Sequence, residues 1–152
     1  MARYFLDSSV VVKRYVAETG SAWIRRLCAP AGGNALYAAH VMGAEVSAAI
    51  MRRVRRGEIT AVDAAFPSLQ AHLRTDYTPV YVTDALVQRA VDLTRRYPLR
   101  GYDAVHLASA LQLAAECVAL GIPAPIFVCA DTDLNAAASA EGLAVDDPNA
   151  HP

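Results

Sequence analysis

Short apolar runs alternate along this chain with longer stretches in which apolar residues return every three to four positions, the signature of buried strands and amphipathic helices taking turns. Residues 3–6 form the first run and stop at Asp7, after which Ser8 and Ser9 are good N-caps for a helix running toward Tyr15. Gly20 and Ser21 open a second helix that reaches Cys28, and Pro30, Gly32, Gly33 and Asn34 make a loop before a strand over residues 35–38. The period is helical again over residues 42–56, closing at Gly57 with arginines at the negative end of the helix dipole, and another helix covers residues 60–73. Residues 77–82 alternate and are rich in β-formers, Thr83 caps a helix through Arg96, and Pro98 breaks it. Gly101 then opens the longest helix, which ends at Gly121. Residues 126–129 read as a fully buried strand, followed by a helix over residues 133–141 and a last strand near Val145.

Strands alternating with helices of this length pair in parallel through crossovers and carry helices on both faces. The expected fold is therefore α/β, a three-layer α/β/α sandwich with a central parallel sheet. Its 152 residues are enough for one domain over residues 1–146, with residues 147–152 as a tail. Hydrophobic residues at 55% and charged residues at 19% argue against disorder. No apolar stretch approaches the roughly 20 residues that span a bilayer, and no long apolar leader precedes Asp7, so a cytoplasmic protein is expected. Cys28, Cys117 and Cys129 are too scattered for a disulfide framework or a zinc site and read as small buried hydrophobes. A net charge of -1 gives no overall pull toward nucleic acid, but Arg52, Arg53, Arg55 and Arg56 cluster, as do Arg95, Arg96 and Arg100.

Four acids stand apart in apolar surroundings. Asp7 and Asp131 each follow a predicted strand, and in an open parallel sheet the ligand crevice lies beyond the carboxyl ends of the strands. Asp103 opens the longest helix on the face shared by His106, Leu107 and Ala110, and Glu45 is the only charge between Val41 and Met51. Taken singly, each has an ordinary use as a turn, an N-cap, a dipole partner or an exposed helix residue. Taken together at one sheet edge, they would repel by about 4 kcal/mol per close pair at an effective dielectric near 20, so the group needs a cation. Oxygen-only donors suit Mg²⁺ or Mn²⁺, and the chemistry implied is phosphoryl hydrolysis.

Other polar residues have plainer readings. His106 is expected to be a packed, hydrogen-bonded histidine, and His40 has little more to recommend it. Arg14 suits an exposed salt bridge at least as well as a phosphate contact, and the arginines of residues 52–56 suit a solvated helix end, although they could also track a phosphate backbone. Trp23, Tyr15, Tyr37 and Tyr102 fit packing or dimer contacts as well as stacking on unpaired bases.

The ordered set Leu6-Asp7-Ser8-Ser9, Ala44-Glu45-Val46, Tyr102-Asp103-Ala104-Val105-His106-Leu107-Ala108 and Phe127-Val128-Cys129-Ala130-Asp131 resembles PIN domains, and among them the VapC-type toxin ribonucleases. That resemblance spans nearly the whole chain and implies a PIN-like sandwich. It also implies a catalytic set of Asp7, Glu45, Asp103 and Asp131, with Asp7 and Asp103 the principal Mg²⁺ ligands and Ser9 supporting Asp7 by hydrogen bonding. The implied activity is metal-dependent cleavage of single-stranded RNA. A homodimer and a VapB-type antitoxin, which inserts a segment near the active site, are the implied partners. Of the two acids in Asp131-Thr132-Asp133 the pattern selects the first, which leaves Asp133 accessory or simply exposed. Two alternatives remain: a noncatalytic RNA-binding or interaction module with the same fold, and a phosphohydrolase of the haloacid-dehalogenase type. The latter wants a second Asp two residues after Asp7, where Ser9 stands.

Overall fold

In a computed structural model of the chain, which describes residues 1–58 and 62–151 and the side chains of all of these except residues 62–64, five strands form one parallel sheet. They are β1 (Arg3–Leu6), β2 (Ala35–Ala39), β3 (Tyr77–Val80), β4 (Ile126–Val128) and β5 (Val145–Asp146), in the spatial order β3-β2-β1-β4-β5. The helices are α1 (Ser8–Val11), α2 (Ser21–Leu27), α3 (Met42–Arg55), α4 (Val62–Thr75), α5 (Asp84–Arg96), α6 (Gly101–Ala119) and α7 (Thr132–Ala140). The three-layer α/β architecture expected from the pattern is the one observed, and the bounds agree closely. The predicted beginning of the fourth helix at Thr60 lies outside the described residues.

Period-two alternation explains how both faces of the sheet are buried. Phe5 and Phe127, opposite each other in register on β1 and β4, stack with ring centroids 5.9 Å apart in the core under α5, α6 and α7. Their neighbours Leu6 and Val128 point the other way, into the core shared with Val10, Ile24, Val46 and Ile50 of α1, α2 and α3. Each of these side chains is fully buried, which is worth about 1.5–3 kcal/mol apiece.

Capping fixes where the helices start. Thr83 accepts from the Leu86 N–H at 3.2 Å, and Asp7 and Asp131 cap α1 and α7. The short α1 tightens into a 3₁₀ turn over Val12–Arg14.

Residues 147–151, set apart as a tail in the sequence, lie packed against the body. Lys13 Nζ donates to the Thr19 carbonyl at 2.9 Å and to Asn149 Oδ1 at 3.1 Å, and Trp23 stacks on His151 at 4.1 Å. Gly20, at φ +82°, is required here, because a Cβ would sit 2.3 Å from the Pro148 carbonyl oxygen. Among the described residues no helix is long and apolar enough to cross a membrane.

Candidate active site at the carboxyl edge of the sheet

The chain leaves β1 toward β2 and leaves β4 toward β5, so adjacent β1 and β4 form the switch point where open parallel sheets place their ligands. Asp7 follows β1 directly, its N–H bonded to the Val128 carbonyl at 3.0 Å, and Asp131 follows β4. Glu45 arrives on the first turn of α3 and Asp103 on the first turn of α6. All four line one cavity of about 260 Å³ together with Ser8, Ser9, Arg52 and Arg100. The fold thus gathers the four acids singled out in the sequence, while Asp133 is exposed and does not line the cavity.

Each acid is held differently. Asp7 is 3% exposed, and its Oδ2 accepts from the main-chain N–H of Ser9 at 2.9 Å, while Oδ1 is buried with no hydrogen-bond partner among the described residues. The support from Ser9 is therefore through its backbone. The Ser9 hydroxyl instead accepts from the Ala130 N–H at 3.3 Å, tying the end of β4 to the turn after β1. Asp131 spends Oδ1 on the Leu134 N–H at 2.9 Å as the cap of α7.

Asp103 occupies the third position of α6, where the Arg100 backbone N–H reaches its carboxylate in the manner of a capping box. Burial, and then the charges of Asp7 and Asp131, nonetheless push its carboxyl above the ordinary value. Glu45 Oε2 is hydrogen-bonded to His106 Nε2, and His106 Nδ1 lies 3.7 Å from Asp7 Oδ1, too far for a hydrogen bond. His106 is wholly buried, the packed and bonded histidine the sequence suggested. Burial works against its protonation, but the hydrogen bond that its Nε2 donates to Glu45 and the charges of Asp7, Glu45 and Asp103 outweigh it and raise its pKa.

Three contributors were not foreseen. Cys129, read as a small hydrophobe, sits between the two strand-end acids, its Sγ donating toward Asp7 Oδ2 at 3.7 Å and accepting from the Asp131 N–H at 3.2 Å. Burial, then the Asp7 charge, pushes the thiol up, so it stays protonated as a donor. Arg52 and Arg100 belong to the clusters noted in the sequence, yet spacing alone did not tie either to the acids. Arg14 and His40 lie elsewhere: Arg14 pairs with Asp76 at 2.6 Å, and His40 meets the Tyr81 ring in a tilted contact, centroids 4.7 Å apart.

The donor set fits a hard divalent cation. Among the described residues no group of three or more His, Cys, Asp or Glu side chains is placed to hold a metal ion, so there is no ready-made cage. Mg²⁺ does not need one, because it keeps several waters and takes one or two carboxylates. The bare, buried Asp7 Oδ1 is the atom such an ion would satisfy.

The fold is a parallel α/β/α sandwich with an acidic cleft at its switch point. Residues 4–139 match the family model described as PIN domain, and the chain belongs to that family. Two curated relatives from Mycobacterium tuberculosis, named Ribonuclease VapC45 (strain CDC 1551 / Oshkosh) and Ribonuclease VapC49 (strain ATCC 25618 / H37Rv), are each 33% identical over 150 residues, covering 95% of this chain and 95% of the relative. In fold the chain is similar to the crystal structure of PAE2754 from Pyrobaculum aerophilum, with a TM-score of 0.58 at 17% identity over 99% of this chain and 93% of that one.

Proposed function

We propose that the chain is a Mg²⁺-dependent endoribonuclease, the toxin of a VapBC-type toxin–antitoxin pair, hydrolysing phosphodiester bonds of RNA. The observation that carries this reading is the convergence of Asp7, Glu45, Asp103 and Asp131 on one cavity, with a buried Asp7 oxygen left bare, in a chain related end to end to proteins named ribonucleases.

Asp7 and Asp103 would hold the ion, with Mn²⁺ able to take its place, and Glu45 and Asp131 complete the acidic ring. A divalent ion bound there supplies an acidified water and offsets charge on the scissile phosphate. The Ser9 main chain fixes Asp7 so that Oδ1 stays available to the cleft. His106 holds Glu45 at Oε2, which leaves Oε1 to orient the attacking water.

A second cavity of about 650 Å³ shares Glu45, Arg100 and Asp103 with the cleft and is walled by Val87, Ala90, Val91 and Val105. Val87 and Val91 are partly exposed on α5. This apolar groove supports the VapB-type partner, whose segment would cover it and reach the acids, and the homodimer belongs to the same reading.

The test is cleavage of a mixed structured RNA pool by the purified protein with Mg²⁺, with EDTA, and with Asp103→Asn. Cleavage that disappears in both controls is the expected result. Cleavage that survives EDTA and the variant overturns the assignment of the site, and RNA bound but never cut, whatever the metal, favours the noncatalytic module.

A further inference from the structure

Sharing Glu45 and Arg52 with the acidic cleft is a groove of about 300 Å³, lined also by Ala44, Ala48 and Tyr102. Ala44 and Ala48 are exposed one turn apart on α3, so no side chain fills the floor. Tyr102 stands beside Asp103 at the start of α6 and is 59% exposed, with neither a ring contact nor a hydroxyl hydrogen bond among the described residues. Arg52 borders both cavities and has no acid within ion-pair reach among the described residues, whereas the next residue, Arg53, is bonded to Glu18 at 2.7 Å. The structure thereby divides the arginine cluster into a structural member and one left open at the rim of the cleft.

An idle aromatic face and an idle guanidinium on either side of an alanine floor match what an unpaired nucleotide offers: a base to stack and a phosphate to pair. An apolar peptide would leave Arg52 unused. We propose that this groove receives the unpaired nucleotide next to the scissile phosphodiester, its base stacked on Tyr102 and its phosphate paired with Arg52. The two residues then hold the strand so that the neighbouring phosphodiester lies at the acids. This inference rests on the ribonuclease reading above.

The experiment is steady-state cleavage of a single-stranded oligoribonucleotide in Mg²⁺ by wild type, Tyr102→Ala, Tyr102→Phe and Arg52→Ala, with circular dichroism melting to confirm folding. Tyr102→Ala should raise KM about ten-fold with little change in kcat, and Tyr102→Phe, which keeps the ring, should stay within about two-fold of wild type. Arg52→Ala should reduce the log–log salt dependence of KM by about 0.7. A wild type that neither cuts nor binds RNA overturns the ribonuclease reading and this inference with it. A wild type that cuts while Tyr102→Ala and Arg52→Ala match it overturns this inference alone. Unchanged RNA kinetics with lost self-association of Tyr102→Ala in sedimentation would assign the ring to a protein interface and likewise overturn it.

Discussion

The segment that follows β1 begins in one polar cluster and ends in another, and the two are built on opposite terms. At its far end Arg14 bonds Asp76 at 2.6 Å and the Tyr77 hydroxyl at 2.9 Å, and Tyr15 meets His72 at 2.9 Å. One cation faces one anion there, and the remaining groups are neutral, with Tyr15 pushed up to about 12 mainly by burial. At its near end Asp7 shares a cavity with three more acids, and Asp7 Oδ1 and His106 Nδ1, which face each other at 3.7 Å, are buried without a hydrogen-bond partner among the described residues. A polar group kept for stability is satisfied by the protein itself, because leaving it unsatisfied costs about 1–3 kcal/mol. The acidic cleft accepts that cost, which is the physical mark of a site kept for a ligand.

The largest expected effect follows from neutralising the unsatisfied end. Asn caps a helix as well as Asp, so Asp7→Asn keeps the bond from the Ser9 N–H while removing one of four like charges. Cleavage of RNA should fall by at least about 100-fold, and thermal unfolding in EDTA should show a melting temperature no lower than that of wild type. A melting temperature that drops as it would for a core substitution would make Asp7 a structural residue and erase the contrast.

Asp76→Asn should invert that pattern. Burial alone would raise the Asp76 pKa, but hydrogen bonds from Thr75 and Arg14 outweigh it and hold the carboxyl below its ordinary value. A pKa depressed on folding contributes stability that is complete above the unfolded-state value and is lost as pH falls through the folded-state value. Urea unfolding at neutral pH should therefore show Asp76→Asn less stable by roughly 1–2 kcal/mol, the gap closing as the pH enters the acid range, while RNA cleavage is unaffected. A gap that widens on acidification would reverse the sign of the linkage, and loss of cleavage would join the two clusters into one functional unit.

Much of this architecture is legible in the sequence because it is written locally. Asp7, Thr83 and Asp131 are caps, and Gly57 and Gly121 take positive φ just past α3 and α6, so their positions announce the ends of elements. The meeting of Asp7 with Asp131 follows from the rule for strand ends. Glu45 and Asp103 reach the same cavity only through the way α3 and α6 pack, which no local pattern encodes; family resemblance linked them. Arg52 and Arg53 are adjacent in the chain but about 100° apart around a helix, so one faces the cleft and the other Glu18, a division that needs the three-dimensional neighbours. The docking of residues 147–151 was hidden for the same reason: Lys13, Trp23 and His151 each pass for surface residues until they meet.

The smallest effect probes how the near end of the segment is held. If Asp7 is oriented by the main chain of Ser9, the Ser9 hydroxyl is needed only for its contacts with the Cys129 thiol and with the Ala130 N–H, a half-buried group that water can reach. Ser9→Ala should then cost about 0.5–1 kcal/mol of stability and at most a few-fold in cleavage rate, measured side by side with Asp7→Asn. A loss approaching that of Asp7→Asn would show that the hydroxyl, and with it the link from β4 to the turn after β1, sets the position of the acid. The unsatisfied cluster would then depend on a side-chain network as the Arg14 cluster does, and the two ends of the segment would differ in charge but not in construction.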